Sequence, residues 1–221
     1  MTEGDQIAAA AERIGGHLDG LVDNAGMAVA APLELLPLDE LRRQLEVNLI
    51  GQVAVTQAVL PALRAAGGRI VLMGSIGGRS ALPFLGAYAA SKFALEAVAD
   101  SLRLELRPFG IAVAIVEPGS IATPIWSRGG ETATAIAAGW TDEQRALYAP
   151  SVGAFREAAA AAGRRGAPPD DVAKVVEHAL TASRPHTRYL VGRDARRRAR
   201  VQRLPDRLRD RVLAKYLRLP T

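Results

Sequence analysis

Tyr88 and Lys92, in the run Tyr88-Ala89-Ala90-Ser91-Lys92, are the residues whose types and spacing most directly suggest chemistry. On a helix, positions i and i+4 share one face a turn apart, so a phenol and an ammonium there address the same small volume. A free phenol titrates near ~10. A positive charge held ~4 Å away contributes about 4 kcal/mol at an effective dielectric near ~20, or up to roughly 3 pKa units. Tyr88 then becomes a proton donor usable near neutral pH. Ser75, between an apolar run and a glycine-rich turn, offers a hydroxyl that can hydrogen-bond a substrate carbonyl while Tyr88 protonates it.

Three further motifs stand in order around this pair. Leu21 to Gly26 (LVDNAG) ends an earlier strand, Val47 to Gly51 (VNLIG) lies in a helix, and Glu117 to Thr123 (EPGSIAT) follows a later strand. With these motifs in register, the chain from about Asp5 to Gly192 resembles the short-chain dehydrogenase/reductase family. The resemblance implies catalytic roles for Asn48, Ser75, Tyr88 and Lys92: Asn48 holds a water of a proton relay, Ser75 positions the carbonyl, Tyr88 is the acid/base, and Lys92 binds the nicotinamide ribose. It implies cofactor contacts at Asn24, Ala25 and Gly26 by the adenine side, at Tyr88 and Lys92, and at Pro118, Gly119, Ile121 and Thr123 beside the nicotinamide. The implied cofactor is NAD or NADP, and the implied reaction interconverts an alcohol and a ketone.

The sequence departs from that family twice. Asp23 stands where the family usually has an asparagine that ties neighbouring strands together. The family's glycine-rich turn, which brings backbone against a pyrophosphate at a helix N-terminus, has no counterpart: Gly74, Gly77 and Gly78 follow the Ser75 strand, Gly15 and Gly16 end a helix, and neither set has the spacing. The expectation is an α/β fold, a partial Rossmann-type doubly wound parallel sheet lacking its first strands, an N-terminal truncation of roughly 60 residues. Such a chain is expected to bind the dinucleotide weakly. A non-catalytic scaffold or subunit derived from the family is the alternative.

Composition narrows the other classes. A chain of 221 residues, 49% hydrophobic, buries the core of one domain. It has no cysteine, hence no disulfide, thiolate metal site or cysteine nucleophile, and its three histidines lack ligand spacing, so no metal site is expected. A serine hydrolase is disfavoured because Met73 occupies the first glycine position of a Gly-x-Ser-x-Gly elbow. Residues 1–20 contain neither a continuous apolar h-region nor a cleavage pattern, no run of 18 apolar residues occurs in the sequence, and a cytoplasmic location is expected. Between Arg193 and Arg218, 11 Arg/Lys face three Asp, a local charge of +8 that leaves the rest of the chain at −3. With no basic stripe on that body, nucleic acid is not an expected partner.

The elements that must position these residues follow in order. Asp5–Ile14 reads as an amphipathic helix capped by Asp5 or Thr2, Leu18–Asn24 as a short buried strand, and Leu38–Ala65 as one long helix with Asn48 in its apolar pattern. Arg69–Ser75 and Ile111–Glu117 read as buried parallel strands flanking a helix from Gly86 to about Arg107. Its wide apolar face (Ala89, Ala90, Phe93, Ala94, Ala97, Val98, Leu102) suggests a homodimer formed with the long helix. Periodicity breaks down over residues 124–165, an alanine-rich stretch with Trp126, Trp140, Tyr148 and Phe155; the resemblance implies that it covers the substrate as an apolar lid favouring an apolar alcohol or ketone, while a plain surface helix fits the composition nearly as well. A helix from Pro168 to about Ala182 and a strand over Arg188–Gly192 close a domain of residues 1–192. Residues 193–221 form a basic tail of two short surface helices broken at Pro205, with membrane-surface contact as the minor alternative.

Overall fold

The computed structural model describes residues 2–217, and of Trp126 and Ser127 the backbone alone. Four strands, β1 (Gly20–Asp23), β2 (Arg69–Met73), β3 (Ala112–Pro118) and β4 (Arg188–Val191), form one parallel sheet in the order β1-β2-β3-β4. Because all four run the same way, their C-terminal ends and the loops that follow line one rim, the usual place for a ligand in an open α/β sheet.

Alternation along the central strands builds two core layers. Ile70, Leu72, Val113 and Ile115 point to one face and pack with Val59 and Leu63 of α3 (Gly51–Ala66) and Leu95 and Ala99 of α4 (Gly86–Glu105). Ala11 of α1 (Gly4–Ile14) adds to the same layer. Val71, Ala114 and Val116 point the other way, against Val172, Val175, Val176 and Ala179 of α7 (Pro169–Thr181). The result is the α/β three-layer fold that the strand and helix pattern predicts.

The long helix over Leu38–Ala66 is continuous, comprising α2 (Leu38–Leu45), a π-helical turn at Glu46–Ile50, and α3. Length and hydropathy alone would let it cross a membrane, but it carries a polar stripe that its own domain satisfies. Gln44, Asn48, Gln52 and Thr56, at intervals of four, are 0%, 0%, 0% and 2% exposed. An ideal helix drifts by ~40° every four residues, and the wider π turn in the middle of the series offsets part of that drift. Gln44 and Asn48 each donate to the Met27 carbonyl at 2.9 Å, while their oxygens accept from Val29 N at 2.8 Å and Met27 N at 2.9 Å. Gln52 donates to the Ala25 carbonyl at 3.1 Å, and Thr56 to Asp23 Oδ2 at 2.9 Å. One helix face thereby pins the end of β1 at Asp23 and the segment from Asn24 to Val29, which has no regular structure of its own to satisfy its backbone groups.

Several sequence expectations need correction. β1 is the outer strand of the described sheet and has a partner on one side, so Asp23 is its one buried residue and Val22 is 37% exposed. Glu3, rather than Thr2 or Asp5, occupies the N-cap of α1, without a side-chain bond. Residues 124–165, where apolar periodicity breaks down, are largely helical. They form α5 (Ile125–Ala138) and α6 (Asp142–Arg164), because alanine favours helix even without a periodic apolar stripe, and Thr141 and Gln144 form a capping box between the two. Phe155 is buried and meets Phe84 edge-on at 5.5 Å, whereas Trp140 packs on Tyr148. The side chain of Trp126, and residues 218–221 of the basic tail, lie outside the described residues. The tail forms α8 (Arg193–Val201) and α9 (Asp206–Leu217), separated at Pro205.

Burial pushes the Asp23 carboxyl up to about 6, a rise partly offset by the Thr56 hydrogen bond. A carboxyl raised on folding contributes stability that is fully present below its unfolded pKa and is lost as pH rises through the folded one. Asp23→Asn keeps an acceptor for Thr56 and has no charge to bury. It is expected to raise stability at pH 8 by up to about 3 kcal/mol, with the gain vanishing near pH 4. Thermal melts of both proteins across that range check this, and a gain in the variant that does not depend on pH contradicts it.

Candidate active site

Ser75 lies two residues past the end of β2 and caps a short 3-10 turn, Ile76–Gly78, its Oγ accepting from Gly77 N at 3.0 Å. The two glycines of that turn let α4 press directly onto it. A Cβ at Gly77 would stand 3.0 Å from the Tyr88 ring and 3.2 Å from Ser75 Oγ. One at Gly78 would stand 2.8 Å from the Lys92 carbonyl oxygen, closer than any side chain tolerates against backbone. This close packing brings the Ser75 hydroxyl and the Tyr88 phenol together.

Lys92, 4% exposed, reaches under β2 and donates from Nζ to the Met73 carbonyl at 2.7 Å. Its ammonium stands 6.0 Å from the centre of the Tyr88 ring. Gly26 completes this corner. A Cβ there would lie 3.3 Å from Asn48 Oδ1 and 3.9 Å from Lys92 Nζ, so bare backbone leaves room between the two side chains. Asn48 also donates to Ser91 Oγ at 3.1 Å, and Ser91 in turn donates to the Tyr88 carbonyl at 2.7 Å, tying the π turn to α4. Among the residues singled out from sequence, Gly26, Asn48, Ser75, Tyr88 and Lys92 therefore converge. Asn24 and Ala25 are exposed at the end of β1. Pro118 ends the adjoining β3. The loop after it is held by Gly119 N donating to Val191 O at 2.8 Å, by a bridge from Ile121 to Ala167, and by Thr123 N donating to Ile121 O at 2.9 Å.

The electrostatics differ from the simple pairing read from spacing. Burial pushes the Tyr88 phenol up, with the Ser75 hydrogen bond and the charge of Arg198 pulling against it. Burial lowers Lys92 to about 8, opposed by Glu96 one turn along. The Lys92 ammonium is thus held by the Met73 carbonyl beside the Gly26 corner. Lysine's two remaining N–H donors, beside the space at Gly26, suit the hydroxyls of a ribose. The residues present thus fit the nicotinamide end of a dinucleotide.

Sequence reading missed an acidic cluster behind Lys92. Glu117 on β3 is fully buried, and its Oε1 accepts from Arg79 Nε at 2.7 Å. Arg188 Nε reaches Glu96 Oε2 at 3.1 Å and Glu117 Oε1 at 3.6 Å, while its Nη2 binds Asp100 at 2.6 Å. Glu96 Oε1 and Glu117 Oε2 are buried without a partner. Burial first, then the charge and hydrogen bond of Glu117, push Glu96 up to about 7. The signal was available: Glu96 stands four residues after Lys92, and Glu117 is a carboxylate inside an otherwise apolar strand.

With this geometry in view, the comparisons with known proteins are direct. The profile of the family described as short chain dehydrogenase matches residues 1–133. A 3-amino-tetrahydro-pyrrolizinone reductase from Xenorhabdus hominickii is 43% identical over 178 residues, 80% of this chain and 62% of that protein. Retinol dehydrogenase 5 from Mus musculus is 40% identical over 211 residues, 92% of this chain and 66% of that one. The solved structure of a short chain dehydrogenase from Burkholderia cenocepacia J2315 in complex with NADP superposes with a TM-score of 0.72 at 26% identity, covering 98% of this chain and 77% of that one. The chain belongs to the short-chain dehydrogenase/reductase family of oxidoreductases. It spans less than two thirds of the length of the two curated relatives.

The glycine turn carries an energetic prediction. Gly78→Ala sets a methyl against the α4 backbone and is expected to destabilise the protein by about 1–3 kcal/mol. Urea unfolding measures it, and a wild-type midpoint would mean that α4 yields at no cost.

Proposed function

We propose that the protein is an NAD(P)-dependent oxidoreductase that interconverts an alcohol and a ketone on an apolar substrate. The observation that carries this reading is the convergence of Ser75 and Tyr88 across the Gly77 turn, with Lys92 and Asn48 at the Gly26 corner behind them. The names of the similar proteins, a reductase and a dehydrogenase, support the same class. In reduction, Ser75 Oγ–H holds the substrate carbonyl oxygen and the Tyr88 phenol gives that oxygen its proton. In oxidation, the proton returns to Tyr88. The dinucleotide, when bound, supplies or accepts the hydride. Asn24, Ala25 and Gly26 at the end of β1, together with the Pro118–Thr123 loop and Lys92, are the residues proposed to hold it. Asn48 is proposed to support the proton path from the Lys92 side.

An apolar substrate is supported by a cavity of about 840 Å³ bounded by α5, α6 and the segment after β1. Its walls include Ala28, Leu85, Gly129, Ala133, Phe155 and Ala159. Leu85 stands one turn before Tyr88, and Ile125, also in the wall, comes two residues after Thr123. Small side chains leave the room, and the scarcity of polar groups disfavours a sugar or a highly charged substrate.

A homodimer is part of the proposal. On α4, Ala90, Phe93 and Ala97 are exposed in one strip, with Phe93 at 44%, and Ile50 on the π turn is 51% exposed. Light scattering over a wide concentration range tests it, and a monomer throughout removes it.

Turnover of an apolar ketone with NADH or NADPH in excess is expected to fall at least ~100-fold in Tyr88→Phe, which keeps the ring and removes the proton. Near-normal kcat in that variant would show that Tyr88 is not the acid. Titrating the 221-residue chain with either dinucleotide is expected to give no saturation in the micromolar range, since Lys92 and the Pro118–Thr123 loop grip only the nicotinamide end and no glycine turn for the pyrophosphate occurs among the residues proposed here. Tight binding contradicts that expectation. A folded chain that shows no turnover at any cofactor level supports the scaffold reading instead.

A further inference from the structure

Helix α8 looks, in sequence, like a solvated run of arginines, RDARRRARV. Its inward face has another composition. Gly192, at φ 98, turns the chain sharply out of β4, and Ala195 is fully buried against the fold. Asp194 and Arg198, together with Gln202 immediately after the helix, then follow at intervals of four along one side. Asp194 Oδ2 accepts from Ser120 N at 2.6 Å, in the loop after β3. The fit there is so close that a Cβ on Gly119 would fall 2.1 Å from Asp194 Oδ1. Arg198 Nη2 donates to the Ser80 carbonyl, and Gln202 Nε2 to the Arg79 carbonyl. Arg79 and Ser80 directly follow the Ile76–Gly78 turn on which Tyr88 rests.

We infer that α8 is a clasp for the reactive site, joining the loop after β3 to the turn after β2, and that Arg198 is a positioning residue for the Tyr88 phenol. The inference rests on the reading of Tyr88 as the acid/base. As a purely structural device the arrangement is costly: Arg198 Nε and Ser80 Oγ are both buried without partners, and an apolar side chain would fill the space without desolvating a guanidinium. Five other arginines stand in or beside the helix, so solubility does not require this one to turn inward. A cation behind the phenol does have a use, because it stabilises the phenolate that remains after proton donation. Ser75 comes from the turn after β2, whereas Arg198 comes from α8 and is anchored on the Ser80 carbonyl that follows that turn. Burial lowers Arg198, and the charges of Asp194, Tyr88 and Tyr216 oppose that shift.

The test is a titration of the phenol in the 221-residue chain carrying biosynthetic 3-fluorotyrosine, whose hydroxyl ionises at lower pH than that of tyrosine. Fluorine NMR separates the four tyrosines, and the resonance lost in Tyr88→Phe identifies the one in question. Arg198→Met is expected to move its titration upward by about one unit. Arg198→Lys should restore at least half of the shift, and Arg197→Met, which removes an exposed charge from the same helix, should cause none. If the Met variant does not fold, Arg198→Gln makes the same comparison. A Tyr88 titration that moves no further in Arg198→Met or Gln than in Arg197→Met, with circular dichroism unchanged, overturns the role of Arg198. For the clasp itself, Asp194→Ala is expected to speed hydrogen exchange at the Ser120 amide by roughly tenfold or more, and unchanged exchange overturns it. Neither measurement needs cofactor or substrate, so their failure is distinct from failure of the oxidoreductase reading, which the Tyr88→Phe turnover decides.

Discussion

The contact on which the reactive arrangement depends is that between α4 and the turn after β2. Gly77 and Gly78 have no Cβ, so the helix backbone at Lys92 and the Tyr88 ring lie against the turn at distances no other residue pair would permit. Three consequences come from that one contact. Tyr88 meets Ser75, Lys92 passes beneath β2 to its terminal carbonyl, and Glu96, a turn further, is driven into the sheet beside Glu117. Widening this contact by even a methyl group would move all three together.

A second constraint is the treatment of charge in a nearly dry interior. Asp23, Lys92, Glu96, Glu117 and Arg198 are all taken largely out of water, and the fold compensates each differently. Asp23 has a neutral hydroxyl and is left poised near pH 6. Lys92 has a backbone carbonyl and loses part of its basicity. The two glutamates share arginines from β4 and from the segment after the Ser75 turn. Buried pairs of this kind add little net stability but hold geometry, because a misplaced member leaves another charge unpaired. Lys92 and Glu96 stand on α4, and Arg188 links Glu117 to Glu96, which makes that helix the electrostatic as well as the steric spine of the site.

The segment from Asp23 to Val29 illustrates the same economy in neutral groups. From Asn24 it runs past the end of β1 without regular structure, yet Gln44, Asn48, Gln52 and Thr56 supply its missing hydrogen-bond partners from one helix face. Asn48 belongs to this stripe as much as to the reactive corner, so its side chain holds the Met27 backbone while standing beside Gly26 and Lys92.

By itself the sequence determined the elements and the cast of the site. Alternating and continuous apolar runs marked β2, β3 and α4, since period and β-branching are local properties, and the i, i+4 spacing of Tyr88 and Lys92 put them on one helical face in any fold. Asn48, Ser75 and the loop from Pro118 were legible because their motifs stand in a family order. Tertiary structure decided what spacing cannot encode. It set Lys92 on the Met73 carbonyl, and it left Val22 partly open on an outer strand. It ordered the alanine-rich segment into α5 and α6. It also turned Arg198 inward from a tail whose composition reads as solvated surface. Each of these depends on contacts between residues tens of positions apart, and the energy of such a contact belongs to the pair and its surroundings, not to either stretch of chain alone.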